Sequence, residues 1–359
     1  MTQRERQILQ WIAADPMISQ EALAERAGIT RSSVAVHISN LMKKGYIAGK
    51  GYVLSAGEYV VVAGGVNIDI GGRSAAPLRP RDSNPGRVTV SLGGVGRNIA
   101  HNLRLLGADV RLLTALGDDL HAQRVVDSCR SLGIDISRVL HAPGCSTSTY
   151  LFINGADGDM ALAVSDMEIC EKLTPDYFEK NLPLLNRARL VVLDTNLPEE
   201  SIAYLAERCT APLFADPVST TKAEKLRGVL GRLHTLKPNR LEAQLLSGVA
   251  ITDEKSLYLA ADRLLGTGLK RAFISLGEHG ILAAEGRERI LQGCCPAQMR
   301  NATGAGDAAM AALAWAYLDG QDLAGSAAAA CAAAAIAAEG AETINPDLNP
   351  DAMRRRMKY

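Results

Sequence analysis

Apolar residues recur at helical spacing in the first 45 positions, in short runs separated by turn residues. The first run predicts a helix over Gln3–Ala14 that stops before Asp15 and Pro16, and its apolar stripe consists of Ile8, Leu9, Trp11 and Ile12. Ser19 has the character of an N-cap for a second helix over Gln20–Ala27. The chain therefore opens with two short helices.

Gly28 supplies a left-handed turn after the second helix, and Thr30 caps a third helix that runs to about Lys44. This spacing is typical of a helix-turn-helix. The following sequence YIAGKGYVLS predicts two short strands around Gly49-Lys50-Gly51, which would form a small wing. We therefore assign residues 1–56 to a winged helix-turn-helix domain.

From Tyr59 the pattern changes to buried strands that alternate with helical segments. The strands are YVVVAGG, RLLTAL, ARLVVLDT, PLFADP, LHTLKP and RAFISLG. Such alternation predicts an α/β domain over 57–359, with a mostly parallel sheet covered by helices on both faces and a ligand crevice at the carboxyl ends of the strands. Two polar or alternating segments, at about 72–92 and 145–165, suit a small β-lid over that crevice.

Composition narrows the class of protein. The chain has 359 residues, 47% of them hydrophobic, and 39 basic residues balance 39 acidic ones, so no overall field indicates a nucleic-acid or membrane partner. Residues 1–55 are nevertheless basic, with seven Lys and Arg against four acids. Seven scattered cysteines, the lack of a signal peptide and the lack of an apolar run long enough for a membrane span favour a cytoplasmic protein.

The segment Asn301-Ala302-Thr303-Gly304-Ala305-Gly306-Asp307 precedes a long apolar helix. Small residues at a helix start let backbone N–H groups, here those of residues 305–307, approach an anion, and the helix dipole favours negative charge there. Asp307 could then take the proton from a hydroxyl that attacks a phosphoryl group held by the same amides. The alternative is an ordinary Gly-rich turn in which Asp307 is the N-cap.

These residues resemble the D-T-x-G-A-G-D signature of the PfkB/ribokinase family of carbohydrate and nucleoside kinases. Four further segments resemble that family and occur in the same order. They are Val66-Asn67-Ile68-Asp69, Gly93-Gly94-Val95-Gly96-Arg97-Asn98-Ile99-Ala100, Lys237-Pro238-Asn239-Arg240-Leu241-Glu242 and Ser275-Leu276-Gly277-Glu278-His279-Gly280. Together the resemblance covers residues 59 to about 345. The resemblance implies a ribokinase-like fold and an ATP-dependent kinase.

The resemblance also implies roles for individual residues. Asp69 would accept two neighbouring substrate hydroxyls, Asn67 and Asn98 would add amide contacts, and Gly93 and Gly94 would allow close backbone approach. Gly304, Ala305 and Gly306 would form the anion hole beside Asp307. This arrangement predicts an acceptor pocket and a phosphate cradle drawn from opposite ends of the domain.

By the same resemblance, Asn239 and Glu242 would organise Mg²⁺ and the phosphates through water. Gly277 and Gly280 would flank the adenosine of ATP, with Ser275 and Thr303 also at the nucleotide. The first aspartate of the signature is Asn301 here, near the monovalent-cation site of some members, which puts potassium activation in doubt.

The wording of the motifs narrows the substrate. GGVGRNIAHNL, together with ADPVSTTK at 215–222 and the NATGAGD spelling, is most similar to the pseudouridine kinase branch, which implies phosphorylation at the ribose 5′-hydroxyl. A kinase for another nucleoside, such as uridine or inosine, or for a free sugar such as ribose is the alternative. A hypothesis of another class is a nucleoside-sensing transcriptional regulator built on a kinase fold, although a pure sensor would not need Asp307.

Two charged residues near the glycines have open roles. Arg97 either touches the substrate base or pairs with a carboxylate, and His101 is interpreted as a packing or capping residue rather than a base. The six histidines show no metal-ligand spacing, so no structural zinc is expected.

The third helix of the N-terminal domain would lie in the major groove of DNA. Its residues expected to face the bases are Arg31, Ser32, Ser33 and His37, and those expected to reach phosphates are Lys43, Lys44 and the wing residue Lys50. The alternative is a domain that serves only for dimerisation or docking. Family resemblance and the exposed edge of a lid strand also favour a homodimer.

Overall fold

The computed structural model describes residues 1–47 and 58–358, in two compact units, Met1–Gly57 and Glu58–Tyr359. The predicted wing around Gly49-Lys50-Gly51 lies outside the described residues. Among the described residues, no helix has the length and apolar character needed to span a bilayer.

The N-terminal unit contains three helices, α1 (Gln3–Ala14), α2 (Gln20–Ala27) and α3 (Arg31–Lys43). Ser19 and Thr30 accept the predicted capping hydrogen bonds, and Gly28 has the left-handed φ of 62°. The predicted helix boundaries are therefore confirmed. The helices enclose a small core of buried residues that includes Ile8, Ile12, Leu23, Val34 and Leu41.

The large unit is built on an eight-stranded sheet with the order β14-β13-β12-β11-β10-β9-β1-β4. The strands from β4 to β12 in this order are parallel, and β13 and β14 add an antiparallel edge. The eight strands are β1 (Tyr59–Ala63), β4 (Asp109–Leu113), β9 (Leu190–Asp194), β10 (Leu213–Asp216), β11 (Thr235–Leu236), β12 (Arg271–Ser275), β13 (Ile281–Glu285) and β14 (Glu288–Gln292).

Helices cover both faces of this sheet, as predicted. Side chains alternate along β1, so Val60 and Val62 join one apolar core while Tyr59, Val61 and Ala63 join the other. The helices are α4 (Val95–Leu105), α5 (Leu120–Ser131), α6 (Pro175–Asn186), α7 (Glu199–Arg208), α8 (Thr220–Ala223), α9 (Arg240–Ser247), α10 (Glu254–Gly266), α11 (Ala305–Leu318), α12 (Leu323–Glu339) and α13 (Pro350–Arg356).

A separate four-stranded sheet with the order β3-β2-β7-β8 is the candidate for the predicted lid. Its strands are β2 (Asn67–Ser74), β3 (Gly86–Gly93), β7 (Thr149–Asn154) and β8 (Met160–Asp166), and the short strands β5 (Ala115–Leu116) and β6 (Leu140–His141) pair with each other elsewhere. Strands β3, β7 and β8 fall within one residue of the two segments predicted for the lid, whereas β2 begins at Asn67, before the first of them. The expected homodimer stays a prediction.

Candidate active site

The predicted phosphate cradle corresponds to the first turn of α11. Gly304 is the N-cap of this helix with a φ of 85°, and a Cβ there would lie 2.2 Å from the Thr343 carbonyl oxygen, so both backbone conformation and space require glycine. Asp307 is the third residue inside the helix, so the alternative in which Asp307 is an ordinary N-cap is wrong. The first N–H groups of a helix have no partner within it, although that of Ala305 donates to the Ala302 carbonyl at 3.4 Å.

Asp307 is bound to a residue 209 positions earlier in the chain. The Asn98 side-chain amide donates a hydrogen bond to Asp307 Oδ2 at 2.9 Å, which joins α4 to α11. Removal from water raises the pKa of Asp307 to about 7, with help from the negative charge of Asp216 and against the opposing effects of Asn98 and Lys237. A carboxyl with this pKa can exchange a proton near neutrality, as a general base must.

The predicted acceptor pocket lies where β2 and β3 meet. Asn67 Nδ2 donates to Asp69 Oδ1 at 2.6 Å, and a Cβ on Gly93 would lie 2.3 Å from Asp69 Oδ2. Gly94 has a φ of 95° and caps α4 without a side chain. Burial raises the pKa of Asp69, while the hydrogen bond from Asn67 and the charge of Arg97 lower it. The absence of a side chain at Gly93 therefore leaves room for the Asp69 carboxylate.

Sequence reasoning missed three charged residues that gather below the cradle. Asp194 ends β9, Asp216 ends β10 and Lys237 follows β11, and all three are buried. Asp194 accepts hydrogen bonds from the N–H groups of Gly65 and Asn196, each at 2.9 Å. The signal that could have revealed them is a charged residue at the carboxyl end of each of three successive parallel strands.

Lys237 is the cation of this cluster. Its Nζ lies 3.2 Å from Asp216 Oδ2, and a Cβ on Gly306 would lie 3.6 Å from the same Nζ. Burial by itself lowers the pKa of Lys237, but the neighbouring Asp216 carboxylate outweighs burial and raises it, so the ammonium stays charged. A fixed positive charge thus lies next to the first turn of α11.

Asn239 and Glu242 form the capping box that starts α9. The Asn239 side chain accepts from the Glu242 N–H at 2.9 Å, and Glu242 Oε2 accepts from the Asn239 N–H at 2.8 Å. Glu242 is buried, and burial raises the pKa of its carboxyl. These bonds leave Glu242 Oε1 for a further partner. No group of three or more His, Cys, Asp or Glu side chains able to hold a metal directly occurs in 1–47 or 58–358.

The remaining predicted nucleotide residues lie on two loops. Ser275 ends β12 and its N–H donates to Pro238 O, which places it beside Asn239. Gly277 and Gly280 delimit the turn into β13 with φ values of 64° and 89°. Thr303 is exposed immediately before the cradle, and its N–H donates to Asn301 Oδ1 at 2.9 Å. The Asn301 side chain therefore stabilises the conformation of its own loop.

The residues predicted to contact DNA divide into two groups. Arg31, Ser32 and Lys43 are exposed on α3, and Arg31 forms an exposed ion pair with Glu21 at 3.0 Å. In contrast, the Lys44 ammonium donates to both carboxylate oxygens of the buried Glu5, at 2.9 and 2.8 Å. Ser33 and His37 are only partly exposed, and His37 Nδ1 is buried. Lys44 is engaged within the fold, and Lys50 lies outside the described residues.

Comparison with known protein families gives two matches. The family described as pfkB family carbohydrate kinase matches residues 58–350. The family described as winged helix-turn-helix DNA-binding matches residues 1–48. The two matched segments correspond to the two compact units of the structure.

Individual relatives are kinases by name. The chain is 39% identical to the uncharacterized sugar kinase YeiI of Escherichia coli over 357 residues, which cover 98% of each protein. It is 38% identical to the pseudouridine kinase of Escherichia coli over 294 residues, which cover 81% of this chain and 94% of the relative.

Solved structures give the same fold. A carbohydrate kinase from Agrobacterium tumefaciens superposes with a TM-score of 0.73 at 28% identity and covers 84% of this chain and 97% of its own. Arabidopsis thaliana ribokinase complexed with ribose and ATP has a TM-score of 0.76 at 21% identity and covers 85% of this chain and all of its own. The predicted ribokinase-like fold and the predicted helix-turn-helix are both confirmed.

Proposed function

The chain belongs to the PfkB family of carbohydrate kinases, and within that family we propose that it transfers the γ-phosphoryl group of ATP to the 5′-hydroxyl of pseudouridine. The observation that carries the substrate proposal is the 38% identity to a pseudouridine kinase, which extends over 94% of that relative. The geometry supports it because the Asn98–Asp307 hydrogen bond joins the acceptor pocket to the phosphate cradle. A ribose diol would bind Asp69 while its 5′-hydroxyl reaches Asp307.

Each residue then has a chemical task. Asp307 takes the proton of the attacking hydroxyl, and its pKa of about 7 leaves a large fraction ionised at neutral pH. The N–H groups of residues 305–307 hold the transferred phosphoryl oxygens. Lys237, beside Gly306, offsets the charge that develops on those oxygens. Asp69 orients the acceptor, so the chain contributes positioning and charge stabilisation, as phosphoryl transfer requires.

The residues present fit the water-mediated Mg²⁺ of the family. Such an ion keeps most of its water and needs only one or two carboxylates in addition to the phosphates. Glu242 is the residue proposed to hold it, because its Oε1 is not used in the capping box. When bound, the ion would neutralise phosphate charge. Gly277 and Gly280 are proposed to flank the adenosine of ATP.

Turnover on a panel of acceptors tests the substrate. ADP release with Mg-ATP would be measured on pseudouridine, uridine, inosine, ribose and fructose. We expect pseudouridine to give the highest kcat/KM, because the motif spelling and the relative both favour it. A preference for another nucleoside or for a free sugar, as the similarity to a protein named a sugar kinase allows, would overturn the substrate and retain the mechanism. No turnover on any acceptor would instead favour the nucleoside-sensing regulator.

Replacement of Gly93 by alanine tests the acceptor pocket. The added Cβ would lie 2.3 Å from Asp69 Oδ2 and must displace that carboxylate. We expect kcat/KM for the acceptor to fall by about 100-fold, since displacement of about 1 Å at a reacting centre has such an effect, while the KM for ATP stays unchanged. The control is Gly266→Ala, where no atom lies within 4 Å of the new Cβ. Equal kinetics in both variants would contradict this placement of Asp69.

We propose a second function, DNA binding, for the N-terminal domain. The family match supports it, and so does the exposed face of α3, on which Ser32, Val36, Ser39 and Lys43 follow one another at helical spacing. We expect a mobility shift on DNA from upstream of the gene at low salt, and a weaker shift for Lys43→Ala. The same titration with nucleoside present tests whether substrate and DNA binding are coupled. Absence of a shift at low salt would leave docking or dimerisation as the role of the domain.

A further inference from the structure

Arg97 is a buried cation that forms no ion pair within residues 1–47 and 58–358. Its residue surface is 6% exposed, and it lies in the first turn of α4, three residues after Gly94. Among the described residues, the side-chain groups that bond to it are neutral. Burial of an unpaired charge is unfavourable, so a guanidinium in such a place needs compensation from its surroundings. In the part of the chain that the structure describes, Arg97 therefore bonds to neutral groups and forms no direct ion pair with a carboxylate.

The contacts of Arg97 connect three segments at the edge of the acceptor pocket. Its Nη1 donates to the Leu92 carbonyl at 3.4 Å and to Asn98 Oδ1 at 3.5 Å, and its Nη2 donates to Ser128 Oγ at 3.1 Å. Leu92 belongs to β3 and directly precedes Gly93, whereas Ser128 belongs to α5. Nε is buried without a hydrogen-bond partner. The guanidinium thus holds the end of a lid strand against two helices.

The contact with Arg97 favours the same orientation of the Asn98 amide as the Asp307 carboxylate does. A guanidinium has only donors, so it must face the amide oxygen, and Nδ2 is left to face Asp307. That is the arrangement observed, with Nδ2 2.9 Å from Asp307 Oδ2. The opposite orientation would place Asn98 Oδ1 against the Asp307 carboxylate, where two acceptors repel. Arg97 therefore stabilises the hydrogen bond on which the general base depends.

The electrostatic interaction of Arg97 also involves the acceptor pocket. Asp69 is the carboxylate that feels its positive charge, since the guanidinium opposes the effect of burial on the pKa of Asp69. The other titratable neighbours are neutral at pH 7. Burial and the same guanidinium lower the pKa of His101 to about 4, and burial raises the pKa of the Cys129 thiol to about 11.

We propose that Arg97 is a positioning residue for phosphoryl transfer, which holds the Leu92–Gly93 end of the lid strand and the amide of Asn98 so that Asp69 and Asp307 keep their productive separation. The proposal rests on the kinase function proposed above. It assigns Arg97 no direct contact with substrate, because its two terminal nitrogens are directed at Leu92, Asn98 and Ser128 and its Nε is buried.

The test compares Arg97→Met and Arg97→Lys with Arg104→Met. Arg104 is a matched control because it lies on the same helix and donates only to the backbone carbonyls of Leu132 and Ala108. We expect Arg97→Met to lower kcat by about 100-fold, the scale of effect of a small misplacement of reacting groups. The KM for the acceptor should rise while the KM for ATP stays within about twofold. The kcat of Arg97→Lys should lie between those of Arg97→Met and Arg104→Met, since an ammonium keeps the charge but not the planar set of guanidinium donors.

The two KM values distinguish a positioning defect from poor folding of Arg97→Met, because a smaller folded fraction lowers the apparent kcat and changes neither KM. The positioning role is overturned if Arg97→Met matches Arg104→Met, or if kcat falls only in proportion to the folded fraction with both KM values unchanged. Failure of the kinase proposal is distinguishable, because the unmodified protein itself would then show no turnover.

Discussion

Replacement of Asp307 by asparagine is expected to lower kcat by about 1,000-fold, within the range attributed to a positioned general base. The amide keeps the size of the side chain but cannot take the hydroxyl proton. The helix should be undisturbed, because Gly304 and not Asp307 caps it. ADP release with the preferred acceptor measures the loss.

A matched control is available on the same helix. Asp319→Asn makes the same chemical change at the end of α11, where Asp319 forms a partly exposed ion pair with Arg354 at 3.4 Å. Its kcat should equal that of the unmodified chain. An Asp307→Asn variant that retains more than a tenth of the activity would exclude Asp307 as the general base.

The pH dependence follows from the same residue. Because burial raises the pKa of Asp307 to about 7, the base is increasingly protonated below that pH, and kcat/KM should rise with pH and level off above 7. The Asn98 hydrogen bond lowers this pKa, so Asn98→Ala should move the limb to higher pH. A flat profile between pH 5 and 8 would show that a different group accepts the proton.

Replacement of Lys237 by methionine is expected to have the second large effect. It leaves the buried Asp216 without its partner, and loss of one member of a buried ion pair costs about 3 to 5 kcal/mol of the free energy of unfolding. It also removes the cation beside Gly306 and raises the pKa of Asp307 further, so kcat should fall by about 100-fold, as when one charge-stabilising group is deleted.

A double variant separates these two effects. Asp216→Asn combined with Lys237→Met removes both charges, so denaturant unfolding should show most of the lost stability restored. The kcat should remain low, because the cation is still absent. If kcat recovers together with stability, Lys237 supports the fold and has no role in charge stabilisation.

Much of the molecule follows from local signals in the sequence. The caps Ser19 and Thr30 and the turn at Gly28 determined the helices of the N-terminal domain to within a residue. Alternating strands and helices indicated the parallel sheet with two covered faces. These features depend on neighbours within one or two turns of chain, where residue type restricts the backbone directly.

Other features were decided by the tertiary structure. The sequence placed Lys44 on DNA, whereas packing of α1 brings the buried Glu5 to it. For Arg97 the sequence allowed contact with either the substrate base or a carboxylate. In the fold, its guanidinium instead donates to Leu92, Asn98 and Ser128. Spacing along one helix could not reveal the contacts with Glu5, Leu92 and Ser128, because these residues belong to other elements.

By itself, the sequence determined the fold, the two domains' motifs and the identity of Asp307 as the candidate base. The tertiary structure decided that Asn98 binds Asp307 and that Lys237, paired with the buried Asp216, lies beside the first turn of α11. The reason is geometric: parallel strands all end at one edge of a sheet, so residues far apart in the chain meet there. In that enclosure burial and neighbouring charges shift the pKa values of Asp194, Lys237 and Asp307, and no single segment of sequence contains that information.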